Sequence, residues 1–373
     1  MHVRRHRLIQ SIALQASTAS AGEHGIVELR EFPLREPVSG RTYTVLRLRT
    51  KSGLQGYGEC GRVTPAEVET ARRSLLGRAA TSYAVTRTDT PLDGAIATAM
   101  VDITAQVAKT PVFRLLGGPT RTKVRALTSL LGATDSEVET SLRAAKDAGY
   151  RAFQAPLPSA KARNQGDAFD KQVRARIEKL RSAGGEGMDF VLNGDGRLTP
   201  GDASRVAVNV ERFHLLWFDE PCAVANVRAI GKISDECVTP LGFGRNIEDP
   251  AIFQELLREG VIDILRPSMQ RSGIPQIRQL GVLAETYYTA VAPNHEGGPV
   301  GSAAAIQLAA SMPNFFIQHV PLPPAEPDRN MRAELAGKEI ETVRDGFLAL
   351  PSGPGLGITV NEAALERYKD AAA

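Results

Sequence analysis

The feature that most constrains this chain is a rhythm between residues 124 and 319, where short apolar runs alternate with longer amphipathic segments. The runs that read as strands are Val124–Leu130, Ala152–Pro156, Phe190–Asn193, Leu215–Asp219, Thr239–Phe243, Ile262–Leu265, Tyr288–Ala292 and Phe315–Gln318. Between them, Asp135–Ala148, Phe169–Ala183, Pro200–Arg212, Val224–Ile233, Pro250–Arg258, Ile274–Glu285 and Gly301–Ser311 place apolar residues at helical spacing. Parallel strands need a crossover, and a helix after each strand supplies one, so the pattern predicts a parallel sheet. Eight such strands predict a closed α/β barrel in preference to an open doubly wound sheet. No glycine-rich phosphate loop follows the early strands, which weakens the case for a dinucleotide fold.

Ahead of the barrel, Ile26–Phe32 and Tyr43–Arg49 read as strands, separated by a Pro33–Gly40 loop. Thr50-Lys51-Ser52-Gly53 reads as a hairpin turn into a third strand, Leu54–Glu59, and helical periodicity follows over Ala66–Leu76 and Leu92–Ala108. Beyond Pro321 the tail is Pro-rich, and Phe347–Val360 reads as loop and short strand that packs back on the N-terminal block.

Composition excludes several function classes. With 373 residues, 42% hydrophobic and 23% charged, the chain is in the ordinary globular range and needs no covalent staples. Cys60, Cys222 and Cys237 match no zinc or disulfide spacing. A net charge of +3 spread along the chain, with 5% aromatics, argues against a nucleic-acid partner. No apolar stretch reaches the roughly 18 residues of a membrane span. Arg4-Arg5-His6-Arg7 followed by Leu8–Leu14 has the outline of an export signal, but Gln10 and Ser11 interrupt the apolar part. An N-terminal extension on a cytoplasmic protein is the preferred reading.

Several blocks carry a family resemblance. Gly56-Tyr57-Gly58-Glu59, the segment Ala108–Gly118, Trp217-Phe218-Asp219-Glu220-Pro221, Ile262–Pro267 and Ser352–Gly357 occur in the order found in the enolase superfamily. They most resemble its mandelate racemase and muconate-lactonizing branch. The resemblance implies an α/β fold, a modified TIM barrel of (β/α)7β form under an α+β capping domain built from both termini. It divides the chain into an extension over 1–25, a first cap segment over 26–122, a barrel over 123–320 and a completing segment over 321–373. It also implies a homo-oligomer acting on a small carboxylate or acid sugar. Such proteins hold Mg²⁺ on carboxylates at the ends of the third, fourth and fifth barrel strands. The metal neutralises the dianion formed when a side chain removes the proton beside the substrate carboxylate.

At those positions this chain departs from the pattern. The second strand, often Lys-x-Lys, reads Gln154-Ala155-Pro156, and neither Gln154 nor Pro156 accepts a proton at neutral pH. The third, usually Asp-x-Asn, reads Asn193-Gly194-Asp195, so Asn193 offers an oxygen without a charge. The fourth keeps Asp219 where Glu is usual, and the fifth has Gly244-Arg245 where Gly-Glu is expected. Two unit charges about 4 Å apart interact by about 4 kcal/mol at an effective dielectric of about 20, and Arg245 would repel a divalent ion by about twice that. The expectation is no metal and no other cofactor, with Arg245 pointing inward to fork onto Asp219 or onto a ligand carboxylate. The alternative has Arg245 turned onto the next helix.

The opposite face is also altered. The sixth-strand Asp is Ser268, the seventh-strand Pro-His reads Pro293-Asn294-His295, and the eighth-strand Glu of many dehydratase-like members is His319. Gln154, Asn193, Asp195, Asp219, Arg245 and Asn294 are thus candidate ligand-binding residues. His295 and His319 are candidate general bases, because an unperturbed imidazole titrates near neutrality. Plainer roles stand beside each: an ion pair for Asp219, a turn for Asn193 and Asp195, a solvated loop for His295 and a core edge for His319. Three functions remain open: a metal-free ligand-binding pseudoenzyme, a racemase or dehydratase rebuilt around His295 or His319, and a scaffold for oligomerisation.

Overall fold

The computed structural model describes residues 22–85, 90–159, 166–224 and 226–370, so the basic and apolar parts of the possible export signal lie outside it. Strands β1 (Ile26–Arg35), β2 (Thr42–Thr50) and β3 (Gln55–Cys60) form an antiparallel sheet in that order. The expected loop at Pro33 begins later, because β1 continues through Arg35. Pro33 sits opposite Thr44 on an edge strand, where a missing N–H removes no ladder bond.

The helix Pro91–Val107 packs on this sheet, started by a capping box at Thr90 and Asp93. The approach is close enough to exclude any side chain from two positions of β3. A Cβ on Gly58 would stand 1.9 Å from the Ala95 carbonyl oxygen, and one on Gly56 would stand 2.2 Å from that of Ala99. The Gly56-Tyr57-Gly58 block is therefore a packing requirement. Asp102, buried in the same helix, accepts from the backbone N–H groups of Tyr57 (3.0 Å) and Leu356 (2.9 Å), tying the C-terminal segment to the cap.

Eight parallel strands follow: β4 (Lys123–Ser129), β5 (Ala152–Pro156), β6 (Asp189–Asn193), β7 (Phe218–Asp219), β8 (Leu241–Phe243), β9 (Ile264–Leu265), β10 (Ala290–Val291) and β11 (Gln318–His319). They pair in the order β10-β9-β8-β7-β6-β5-β4-β11, and a parallel bridge from Val291 to Phe315 joins the two ends. Helices Asp135–Asp147, Asp167–Gly184, Pro200–Val210, Val227–Glu236, Pro250–Arg258, Met269–Thr286 and Pro299–Ala309 make the crossovers. Leu127, Ala152, Val191, Trp217, Ile264, Ala292 and Ile317 fill the barrel interior. The later strands are shorter than their apolar runs: Tyr288, expected to open β10, is a fully exposed turn residue with φ 55°. The helix expected from Ile274 starts at Met269, with a break at Gly273 (φ 63°), where a Cβ would meet the Gly94 carbonyl oxygen at 2.1 Å.

After the barrel, β12 (Phe347–Ala349) pairs antiparallel with β4, and the helix Glu362–Arg367 returns to the cap, where Glu362 binds Arg47 at 2.5 Å. No helix among the described residues is long and apolar enough to cross a membrane. The packing of β3 yields a test. Gly58→Ala is expected to lower unfolding free energy by about 3 kcal/mol or more through overpacking against backbone. Gly61→Ala, where a Cβ meets nothing within 4 Å, should change it little. Urea denaturation of the two variants compares them directly.

Candidate functional site at the barrel mouth

The strand ends and the cap enclose a cavity of about 300 Å³. Arg41 reaches it from the cap, and Ser129, Asn193, Asp195, Arg245, Glu296 and His319 line it from the barrel. Beneath it lies a layer with no access to water. Asp219 Oδ1 accepts from Arg266 Nε and from Trp217 Nε1, both at 2.8 Å, and Oδ2 accepts from Gln154 Nε2 at 3.3 Å. Arg266 spends its other nitrogens on the Ala292 carbonyl (2.6 Å) and Asn294 Oδ1 (3.2 Å), with its guanidinium 5.0 Å over the Trp217 ring. Asp219 and Arg266 side chains are fully buried.

Arg245 therefore does not pair with Asp219 as expected; Arg266 from the end of β9 has taken that carboxylate. Arg245 points inward, but toward the rim. Its Nη2 donates to Asp195 Oδ1 at 2.7 Å and to Asn193 Oδ1 at 3.2 Å, and its Nη1 lies 3.5 Å from Glu296 Oε1. Its backbone N–H and that of Gly244 both donate to Glu220 Oε1, at 2.7 and 2.8 Å. Burial works against the guanidinium charge, but Asp219, Glu296, Glu220 and Asp195 outweigh it and raise its pKa. Burial and the charge of Asp219 push the Glu220 carboxyl up.

His319 is buried at the cavity wall. Its Nδ1 stands 2.7 Å from the His295 carbonyl oxygen, which can only accept, so Nδ1 carries the hydrogen. Nε2, 2.8 Å from Ser129 Oγ, is then the acceptor of the hydroxyl. Burial, with the Arg266 charge next, lowers the His319 pKa to about 3. His295 is placed differently from both readings of it: it is neither solvated nor in the cavity. It is 1% exposed, donates from Nε2 to the Gly298 carbonyl at 2.9 Å, and has its pKa lowered to about 4, chiefly by burial. Glu59, from the end of β3, encloses that loop by accepting from the N–H groups of Gly298 (2.6 Å) and Gly301 (3.0 Å). Burial raises its pKa to about 7.

Residues 137–364 match the family described as enolase C-terminal domain-like. The chain belongs to the enolase superfamily, in its mandelate racemase/muconate-lactonizing branch. It is 27% identical over 282 residues to D-galactonate dehydratase of Ralstonia pickettii, covering 73% of this chain and 72% of that one. It is 25% identical over 283 residues to D-xylonate dehydratase of Haloferax volcanii, covering 72% and 67%. In fold it is similar to a mandelate racemase/muconate lactonizing enzyme from Sulfitobacter sp, with a TM-score of 0.82, 24% identity and 92% and 95% of the two chains covered.

The family resemblance assigns the superfamily's Mg²⁺ position to Asn193, Asp219 and Arg245. Asp219 has both oxygens engaged by donors, Asn193 Oδ1 already accepts from Arg245 and from the Asp195 N–H (3.0 Å), and the third position is a cation. Among the described residues no three His, Cys, Asp or Glu side chains gather as a metal site. A hard divalent cation wants several free oxygen ligands, and this donor set does not fit one.

Of the residues expected at the site, Asn193, Asp195, Arg245 and His319 meet at the cavity, while Gln154, Asp219 and Asn294 belong to the sealed layer below. The sequence reading missed Arg41, Ser129, Glu296 and Arg266. Arg266 stood inside a quoted family block, Glu296 beside His295 and Ser129 in the first barrel run, while Arg41 lay in the capping segment Pro33–Thr42, whose shape was expected to set specificity without any one residue being singled out. A pH dependence follows from His319. Its folded pKa lies below the unfolded value of about 6.5, so the unfolded chain binds the proton first. The stability it confers is complete above about pH 6.5 and is lost as pH falls toward 3. The destabilisation caused by His319→Gln should therefore shrink by about 2–3 kcal/mol between pH 7 and pH 4.5, read from urea unfolding at both.

Proposed function

We propose that this chain binds a small polyhydroxylated carboxylate, of the sugar-acid class, at the barrel mouth without a divalent metal, and lacks the proton abstraction of its superfamily. The observation that carries the reading is Arg245, held at a metal position by Asn193 and Asp195. There it acts as a tethered cation for the strand-end carboxylates. The cavity wall mixes acceptors (Asp195, Glu296, Asn193), donors (Arg41, Arg245) and the Ser129–His319 pair, a lining suited to hydroxyl groups that both donate and accept. Two arginines balance two carboxylates, so the mouth is close to neutral. Its volume of about 300 Å³ suits a ligand of sugar-acid size. The relatives named for D-galactonate and D-xylonate support the same ligand class.

Calorimetry on the chelator-stripped chain tests this. No saturable heat is expected with Mg²⁺ or Mn²⁺ up to millimolar concentration, and D-galactonate is expected to bind equally with and without EDTA. One-to-one metal binding, or sugar-acid binding that requires metal, would overturn the reading. A second reading, a dehydratase or racemase with His319 as base, draws on the contact between His319 Nε2 and the Ser129 hydroxyl at the cavity wall. It requires that D-galactonate exchange the hydrogen beside its carboxylate in D₂O or lose water, and that His319→Ala abolish this while the protein stays folded.

A further inference from the structure

The two cavity arginines are not equivalent. Arg245 is charge-compensated: Asp195 and Asn193 accept from one terminal nitrogen and Glu296 faces the other. A ligand carboxylate placed there would have to displace Glu296 and sit beside Asp195. Arg41 differs. Arg245 has a buried nitrogen without a partner only at Nε, behind its two terminal nitrogens that face carboxylates, whereas in Arg41 it is the terminal Nη1 that is buried and unpartnered, on a side chain that lines the cavity. Its nearby counter-charge, Asp328, has its two oxygens occupied by the N–H groups of Val38 (2.7 Å) and Ser39 (2.9 Å). A buried guanidinium nitrogen without an acceptor is costly, and an arriving carboxylate would supply one.

The turn that presents Arg41 is built rigidly. Glu36 N–H donates to the Arg41 carbonyl at 2.9 Å, and Gly40 N–H donates to the Glu36 carbonyl at 3.1 Å. The Glu36 carboxylate is buried and accepts from Arg332 Nη1 at 2.5 Å and from Ser39 Oγ at 2.7 Å. The same Arg332 nitrogen donates to the Gly297 carbonyl of the barrel at 2.8 Å, so the turn is registered against the barrel mouth. The backbone at Arg41 thus stands at a set place beside the cavity, and only the side chain is left for a ligand to order.

We propose that the bound acid lies with its carboxylate on Arg41 of the cap and its hydroxyl-bearing carbons against Asp195, Glu296 and His319 of the barrel. This sense is opposite to that of a carboxylate gripped by a metal at the strand ends, and it rests on the reading of the mouth as a sugar-acid site. Arg41 is then the residue that makes the site choose an acid over the matching neutral polyol.

The test is calorimetry with D-galactonate and its neutral counterpart galactitol on the full chain and on Arg41→Gln, with thermal melting to confirm that the variant is folded. Wild type is expected to prefer the acid by at least tenfold. Arg41→Gln should weaken D-galactonate by about 10- to 100-fold, the range of a hydrogen bond to a charged group, and leave galactitol unchanged. Arg41→Lys should restore part of the preference. If folded Arg41→Gln keeps the affinity and the preference, this orientation is overturned while the sugar-acid reading stands. If wild type binds neither probe, the sugar-acid reading itself fails and the orientation falls with it.

Discussion

The pair of Asp219 and Arg266 governs what the rest of the barrel mouth can be. Removing both charges from water costs several kcal/mol per ion, and the pair is tolerable because each of its nitrogens and oxygens has a partner. Asp219 receives Arg266, Trp217 and Gln154, while Arg266 also reaches Ala292 and Asn294. These partners come from β5, β7 and the ends of β9 and β10, so one ionic cluster links strands that pair over as few as two residues. A carboxylate held in this way ties together the strands around it. Both its oxygens are engaged by donors beneath the cavity.

With Asp219 consumed below, Arg245 finds its partners above. Asn193 and Asp195 stand exchanged relative to the family pattern, and the exchange has a geometric consequence. The uncharged amide sits at the strand end, and the carboxylate sits two residues later at the rim, 55% exposed, where Arg245 meets it. The opposite wall is fixed by the joint between cap and barrel. Glu59 caps the loop and first turn at Gly298 and Gly301, and Arg332 ties Glu36 and Glu341 to the Gly297 carbonyl. The cavity is thus bounded by two ionic clusters on separate elements.

The alternation of strands and helices was legible because parallel strands are buried on both faces and so read as apolar runs. Their lengths were not, since apolarity marks burial and not pairing; Leu215–Asp219 pairs as a strand only at Phe218 and Asp219. The inward placement of Arg245 was legible from its position after β8. Its partner was not, because Arg245 and Arg266 are the same residue type and nothing local in the sequence ranks them as partners for Asp219. His295 was misread for a related reason: Asn-His-Glu-Gly-Gly has the composition of a solvated loop, and its burial depends on Glu59, more than two hundred residues earlier. Arg41 lay in a turn whose rigidity comes from Arg332 and Asp328, on a helix far along the chain.

The electrostatics of the histidines bears on which chemistry the mouth favours. A general base must carry the proton it takes. Placing one on His319, whose pKa is about 3, in a chain at pH 7 costs on the order of 5 kcal/mol at about 1.4 kcal/mol per pH unit. Burial opposes that charge first, and Arg266 and Arg245 oppose it next, so the same cluster that stabilises the barrel weakens the base. His295, with a pKa of about 4, is in a similar position and lies away from the cavity. A neutral imidazole with Nδ1 fixed on a carbonyl and Nε2 on a hydroxyl remains a good hydrogen-bonding group. Those properties suit hydrogen bonding to hydroxyl groups, and they follow from burying the imidazole close to Arg266 and Arg245.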